Sequence, residues 1–490
     1  MEWLEKAIAL ISPKTACKRE GWRRELQEMQ RGYDAGGFDR LNRKWRAYNQ
    51  SAELEDRYDR DVVRARARDL ERNSDIAGSI LRAYRRNVIG RGFELQARTD
   101  DEALNIRIEE LWAEWCKARN CDVTGQQNFN QLLRMAVTRK KVDGGILFKK
   151  CYTAGGVLPF CLQALEVDEL DDTIFVPKKK ENRVVGGIEY NAYNRPVGFW
   201  VKQYSIDGMT MNEAEYIDAK DMIFYFEKRR PSQLREMSDL AAAIPRVRDM
   251  NEFITAVGVK ERIAACFAVV VKRMKELLGG GGPGRKTVYA NSDKNGYAGK
   301  QITPGMLMEL DEGDEVQVID PGNSGNDAAA HLKMQLRLIG SGQGLSYEAV
   351  SRDMSETNYS SARQAAIEDE LTYIEEVELL KERIMDEIYE TFFISAVLAG
   401  LLPIGDFWEN KQKYFWHEWV MSPKKWIDPV KEATANKIAM ETGQKTFKQI
   451  SAEAGRDWRE QIDDMAEVLE YAKAKGVELK GGEGFGNSKK

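Results

Sequence analysis

Histidine is almost missing from this 490-residue sequence: only His331 and His417 occur, far apart and neither beside a cysteine. Zinc sites of the usual kinds need clustered His and Cys ligands, so no metal is expected, nor histidine-based acid–base or triad chemistry. Cysteine is nearly as scarce: Cys17, Cys116, Cys121, Cys151, Cys161 and Cys266, with no CxxC pair. That excludes a disulfide scaffold and points to a reduced, intracellular chain. Long apolar runs are absent too. The longest, 392–402, is interrupted by Ser395 and Gly400 and stopped by Pro403, whereas a membrane span needs about 20 residues. The opening Met1-Glu2-Trp3-Leu4-Glu5-Lys6 has no basic leader. It is expected to be a short amphipathic helix ended by Pro13 rather than a secretory signal. A basic excess is also lacking: 74 Lys and Arg face 79 Asp and Glu, a net charge of −5. Tight, dedicated DNA binding is therefore not expected, while transient handling of DNA stays open if the charge is unevenly placed.

What is present is a globular composition, 42% apolar and 31% charged, long enough for about three domains and a sizeable core. Residues 1–143 read as helical. Asn73 or Ser74 caps a helix carrying Ile76, Ala77, Ile80, Leu81, Tyr84 and Val88, and Gly90 ends it. Helical spacing recurs at Leu104, Ile108, Leu111, Trp112 and Trp115, and again at Phe129, Leu132, Leu133 and Ala136, where Asp143-Gly144-Gly145 stops it. Over 146–228 the pattern turns to short β-type runs (146–148, 160–162, 173–176, 222–226) separated by Gly and Asn-Arg-Pro turns, so the fold class is α+β. Helix returns over 238–268. A Gly/Pro-rich, loop-rich insert with one strand at 316–319 fills 270–325, and a second helix covers 327–339. Ser361 with Gln364 fits a capping box opening a helix to about Ala399, roughly 58 Å long at 1.5 Å per residue. That length needs neighbours, from this chain or from other copies. Three short helices follow, with start signals at Asp428-Pro429, Thr446/Gln449 and Asp457/Glu460 and stops at Gly443, Gly455 and Gly476.

Two near-motifs fail on physical grounds. Gly279 to Gly284 followed by Arg285, Lys286 and Thr287 approaches a phosphate-binding loop. Arg285 displaces the lysine, Pro283 removes a cradle N–H, 272–278 reads as helix, and no helix can follow at 289–296. A helix-turn-helix over 446–470 would present an acidic second helix to phosphates. Adjacent acids such as Asp171-Asp172 and Asp463-Asp464 do not share a face, so no paired-carboxylate site is expected. Charge is unevenly spread: 57–98 holds 11 Arg against 6 acids, and 361–390 holds 10 acids against 3 basic residues. Such faces are commonly just solvated, but in a self-assembling chain one could meet the other.

Several stretches in fixed order resemble the lambda-type portal proteins of tailed bacteriophages. The most specific is the signature Tyr347, Glu348, Asp353, Asn358, Tyr359, Ser360, Ser361 and Arg363. Supporting it are 68–74 with 87–92, Asp143-Gly144-Gly145, 162–168, 187–197, 230–235, Pro429 and Gly455-Arg456-Asp457. Ser232 and Glu236 stand where that family commonly has glycine, and Arg352 stands near a frequent glycine.

The resemblance implies a portal fold, with an α/β wing, two stem helices flanking a clip, a long kinked spine helix and a helical crown. It assigns 1–60 to an N-terminal helical arm, 61–237 to the wing, 238–269 to the first stem helix and 270–326 to the clip. The second stem helix is then 327–340, the tunnel loop 341–358, the spine 359–402, the crown 403–476 and a disordered tail 477–490. The implied function is a ring homo-oligomer, dodecameric in this family, at one capsid vertex. It would be a non-enzymatic channel for packaging and ejection of double-stranded DNA. Implied partners are the terminase large subunit, the major capsid protein with its scaffold, and a head–tail connector; no cofactor and no membrane are implied. The implied location is the virion, after assembly in the host cytoplasm. Candidate DNA-channel residues are Gln343, Ser346, Glu348, Arg352 and Asp353 in the loop, with Lys260, Arg262, Lys333 and Arg337 on the stem. The terminase-facing candidates are Arg285, Lys286 and Tyr289. Inter-subunit salt bridges are the other use open to the stem cations. The remaining alternatives are another virion or neck protein, or a packaging ATPase, which would need an intact phosphate-binding loop.

Overall fold

The computed structural model describes residues 12–15, 17–19, 21–22, 49–265, 269–273, 314–318, 325–421 and 429–477. The chain divides into two units, Met1–Glu55 and Asp56–Lys490. In the first, helical turns occupy 13–15, 17–19 and 21–22. Pro13 opens a helical stretch, since its fixed φ suits a first helical position and it has no N–H to leave unpaired. The expected helix before it lies outside the described residues.

In the second unit, α1 (Arg60–Asn73) and α2 (Asp75–Tyr84) are separated by Ser74, whose hydroxyl caps α2 by accepting from Ala77 N–H at 3.5 Å. A π-turn, Arg85–Ile89, extends α2. Then comes a strand where helix was expected: β1 (Phe93–Ala97) buries Phe93, Leu95 and Ala97 on alternate positions. Its partner is β11 (His417–Met421), register Phe93 to Met421, so the pairing that makes it a strand is invisible locally. Helix α3 (Glu102–Trp115) is capped by Asp101, and α4 (Phe129–Asp143) opens on a capping box of Asn128 and Gln131. Gly144 ends α4 at φ 92°, where a Cβ would lie 2.5 Å from the Met237 backbone, so only glycine fits.

The strands β2 (Gly145–Tyr152), β3 (Phe160–Leu165), β4 (Arg183–Val185), β5 (Ile188–Tyr190), β6 (Pro196–Val201), β7 (Glu215–Asp218) and β8 (Met222–Phe226) form two antiparallel sheets, ordered β3-β2-β8 and β4-β5-β6-β7. Residues 173–176 do not form the expected strand. Asp171 accepts from the Thr173 N–H and hydroxyl, which turns the chain, and Phe175 and Val176 are exposed with no strand beside them.

Helix α5 (Ile244–Ala265) starts later than expected, because 238–243 are turns in which Ser238 donates to Lys141 O and accepts from Leu240 N–H. After α5, β9 (Val269–Arg273) pairs antiparallel with β10 (Asp314–Val318). The start of the expected 272–278 helix is therefore strand, driven by three successive β-branched valines. Helix α6 (Gly325–Gly342) and the short α7 (Tyr347–Ser351) lead to α8 (Tyr359–Leu380). A π-turn at Lys381–Met385 joins α8 to α9 (Asp386–Leu398), and Gly400 follows at φ 74°. Asn358, not Ser361, is the N-cap of α8. It accepts from Ser361 N–H while Ser361 reaches back, so the capping box lies three residues earlier than expected. Helices α10 (Pro429–Glu441), α11 (Phe447–Glu453, capping box Thr446/Gln449) and α12 (Trp458–Ala474, cap Asp457) complete the described chain.

One large core joins α2, α3, α4, the β3-β2-β8 sheet and the α8–α9 helix. Trp115 lies at its centre, fully buried, stacked on Phe160 with centroids 5.4 Å apart and donating its indole N–H to Phe160 O at 2.8 Å. A smaller core of Leu147, Leu165, Ile188, Phe199, Val201 and Ile217 fills the space between the two sheets. Both histidines pack on aromatics: His417 on Tyr389 and Trp419, His331 on Phe253. No helix of the described residues is long and apolar enough to cross a membrane.

Candidate functional site: the loop after α6 and its anchors

α6 ends in a Schellman motif. Leu345 N–H donates to Gly340 O at 2.9 Å and Gly344 N–H to Ser341 O at 3.2 Å, with Gly344 at φ 65°. The side chain of Thr372, on α8, donates to Gly344 O at 2.8 Å and blocks a Cβ there. Two residues on, Asp369 of α8 accepts from Ser346 N–H at 2.6 Å and from its hydroxyl at 2.7 Å, and Ser346 in turn caps α7. Gln343 is buried: Tyr84 donates to its carbonyl at 2.5 Å, and its amide donates to Asp239 O at 3.1 Å. Residues 343–346 are thus pinned from α2, from the approach to α5 and from α8. Gln343 and Ser346, expected at a channel, use these polar groups within the subunit and so anchor the loop root.

Beneath this root lies a largely buried charge cluster. Lys140 Nζ sits 2.9 Å from Glu376, 3.1 Å from Asp239 and 3.0 Å from Glu227, and Lys141 Nζ 2.8 Å from Glu376 and 3.0 Å from Asp239. Arg229 pairs with the other Asp239 oxygen at 2.6 Å, Tyr225 donates to Glu376 at 2.8 Å, and Lys141 lies 4.1 Å from the centre of the Tyr84 ring. Burial pushes the Asp239 and Glu376 carboxyls up, but Lys141 and Lys140 outweigh it and hold both below the usual carboxylate range. Burial likewise pulls the two lysines down, but Asp239 and Glu376 leave them above the ordinary lysine value.

Beyond the root the chain projects. Arg352 stands at φ 62° as the left-handed cap of α7. Arg352, Met354, Ser355 and Glu356 are exposed. The signature residues are its scaffold. Tyr347 donates to Asp353 at 3.1 Å, Asp353 caps Ser355 N–H, Thr357 donates to Glu348 at 3.4 Å, and Arg363 donates to the Tyr359 hydroxyl at 3.2 Å. Ser360 is exposed. Lys333 pairs with Glu356 and lies 5.5 Å from the Tyr347 ring centre, which Arg337 approaches at 5.7 Å. These two i, i+4 cations therefore face the loop of their own subunit. On α5, Arg262 donates to Gly258 O at 3.3 Å and Lys260 is half-buried. Arg285, Lys286 and Tyr289 lie outside the described residues.

α8 has two unlike faces. Asp369, Tyr373, Glu376, Val377 and Leu380 turn inward and are buried. Ile367, Leu371 and Ile374, spaced i, i+4, i+7 on the opposite side, are 44%, 56% and 41% exposed, and the exposed Glu368, Glu375 and Glu378 and the half-exposed Glu370 flank them. The exposed Arg82, Arg85 and Arg86 of α2 and its π-turn, with Arg91 just beyond, form a basic counterpart. A second buried charged knot centres on Glu236. Glu236 is fully buried, 3.1 Å from Arg64 and 2.8 Å from Arg235, with Arg60 donating to its carbonyl at 3.0 Å.

Sequence reading missed Tyr84, Lys140, Lys141, Asp239, Asp369, Thr372 and Glu376. A signal existed for Lys140: it stands i+4 from Ala136 and i+7 from Leu133, on the apolar face of α4, where a lysine is out of place unless paired.

The sequence profile of phage portal proteins of the lambda family matches residues 38–375. The chain belongs to that family. It is accordingly a portal-type head–tail connector and a structural component of the virion. A probable portal protein of Halomonas phage phiHAP-1 is 24% identical over 453 residues, spanning 89% of this chain and 86% of its own length. Portal protein B of Escherichia phage lambda is 21% identical over 474 residues, spanning 88% and 87%. Among solved structures, the neck of an empty GTA particle computed with C6 symmetry aligns with TM-score 0.42 and 13% identity over 78% of this chain and 90% of that one. The neck of a native GTA particle computed with C12 symmetry gives 0.40 and 14% over 79% and 95%.

Proposed function

We propose that the chain closes into a ring of about twelve copies at one capsid vertex, as the portal family implies, through which double-stranded DNA enters and leaves. The observation that carries self-assembly is the outward stripe of Ile367, Leu371 and Ile374. It lies opposite the core face of α8, where a lone subunit gains nothing from apolar groups. Carboxylates flank it, and the Arg82–Arg91 cluster of a neighbouring copy offers the complementary charge. The projecting tip at 352–356 carries both signs of charge and no base-reading pattern, which suits a wall past which DNA must slide. In this reading 270–326, with Arg285, Lys286 and Tyr289, docks the terminase large subunit, which hydrolyses ATP, and the portal itself is not an enzyme. Lys260 and Arg262 face the duplex from the stem. The 61–237 region meets the major capsid protein and scaffold, nucleating assembly, and a head–tail connector seats on the finished ring. Assembly takes place in the host cytoplasm. Negative-stain microscopy with mass photometry tests the core of this proposal. Closed rings of about twelve subunits with a central hole are expected; particles that stay monomeric with scaffold protein present would overturn it.

A further inference from the structure

The cluster of Lys140, Lys141, Asp239 and Glu376 needs a reason to exist. Taking four charges out of water is expensive, and buried ion pairs are often no better for stability than well-packed apolar groups of the same size. Both ammonium groups and both carboxylates are nevertheless buried, and the charges are satisfied on every side: Glu227 and Arg229 complete three cations against three anions, and Tyr225 takes the remaining Glu376 oxygen. What the cluster has that an apolar plug lacks is direction. It joins α4, β8, the turn before α5 and α8, and apolar contacts would let those elements slide.

We infer that this cluster is a positioning device for the loop root at 343–346. The connections are explicit. Asp239 fixes its side chain in the cluster and offers its carbonyl to the Gln343 amide at 3.1 Å. Tyr84 lays its ring against Lys141 at 4.1 Å and gives its hydroxyl to Gln343 O at 2.5 Å. Glu376 sets the rotation of α8, and so the height at which Thr372 and Asp369, four and seven residues earlier on one flank, meet Gly344 and Ser346. Shifting any member moves the loop root before it moves the aromatic core around Trp115. The consequence for DNA passage rests on the channel reading above; the positioning itself does not, and is measured on the protein alone.

The experiment is hydrogen exchange of the full-length protein, parent against Tyr84→Phe and against the charge-neutral pair Lys141→Met with Glu376→Gln. Tyr84→Phe removes only the hydroxyl that reaches Gln343. Both variants are expected to exchange at least about tenfold faster at 343–346, with β2 and β3 protected within about twofold of the parent. Uniform acceleration across the core, or an unchanged loop root, overturns the inference and leaves the cluster as structural glue. Failure of the charge-neutral pair to fold counts against it equally, because a positioning role requires a foldable subunit. If loop exchange rises as expected but rings never form, the positioning stands and the ring proposal fails.

Discussion

Tyr84 donates a 2.5 Å hydrogen bond to the carbonyl of Gln343, 259 residues further along the chain. The ring of that tyrosine meets Tyr373 of α8 edge-on at 5.6 Å and carries Lys141 on its face. One side chain from α2 therefore touches the loop, the spine-like helix and the buried charges, which makes the loop root the most constrained non-helical segment of the site.

Gly344→Ala should destabilise the protein by about 1–2 kcal/mol. The residue sits at φ 65°, and a Cβ would meet Thr372 at 2.9 Å. Thermal unfolding of the purified variant checks this; an unchanged midpoint would show that Thr372 gives way freely.

Leu371→Lys places a cation in the middle of the outward stripe without touching the buried face of α8. The monomer should melt within about 0.5 kcal/mol of the parent, as for other surface changes, while ring formation seen by mass photometry falls sharply. Intact rings would move the subunit interface elsewhere.

Acid should weaken the fold. Asp239, Glu376 and Glu236 all have folded values below those of free carboxyls. Burial opposes that shift in each case, and the neighbouring lysines and arginines outweigh it. Their contribution is complete above the unfolded value of about 4 and is lost as pH falls through the folded ones. Asp369 and Glu169, which burial pushes up, act in the opposite sense. Calorimetry should give a flat melting temperature from about pH 5.5 to 8 and a decline below about pH 4; a rise on acidification would mean the carboxyls raised by burial dominate.

Glu236→Ala leaves Arg64 and Arg235 facing each other in the interior and should cost about 3–5 kcal/mol. Chemical denaturation measures it. A loss below about 1 kcal/mol would mean water reaches the knot.

Much of this architecture was legible because it is written locally. Thr446 with Gln449, Asp457, Gly443, Gly455 and Gly476 mark the last helices by capping chemistry that involves only near neighbours. The stripe of Ile80, Leu81 and Tyr84, and that of Leu132, Leu133 and Ala136, reads from 3.6-residue spacing. β1 did not, because Phe93–Ala97 becomes a strand only by meeting His417–Met421. The cap of α8 was misplaced by one turn because Asn358 and Ser361 are both good caps, and in the structure Ser361 serves as the N3 partner of Asn358. Gln343 and Ser346 had been expected to face a channel. Nothing near them in sequence betrays Tyr84, Asp239 or Asp369, whose bonds turn them inward.

The pairing of β1 with β11, reinforced by Arg98 with Glu418 320 residues away, has a consequence for biosynthesis. At about 5–20 residues per second, a ribosome that has just made Phe93–Ala97 must work for many seconds more before the partner strand emerges. Until then the nascent chain carries a bare strand edge with unmet N–H and C=O groups. Only a chain translated past Met421 can cover it, so this pairing closes late in synthesis.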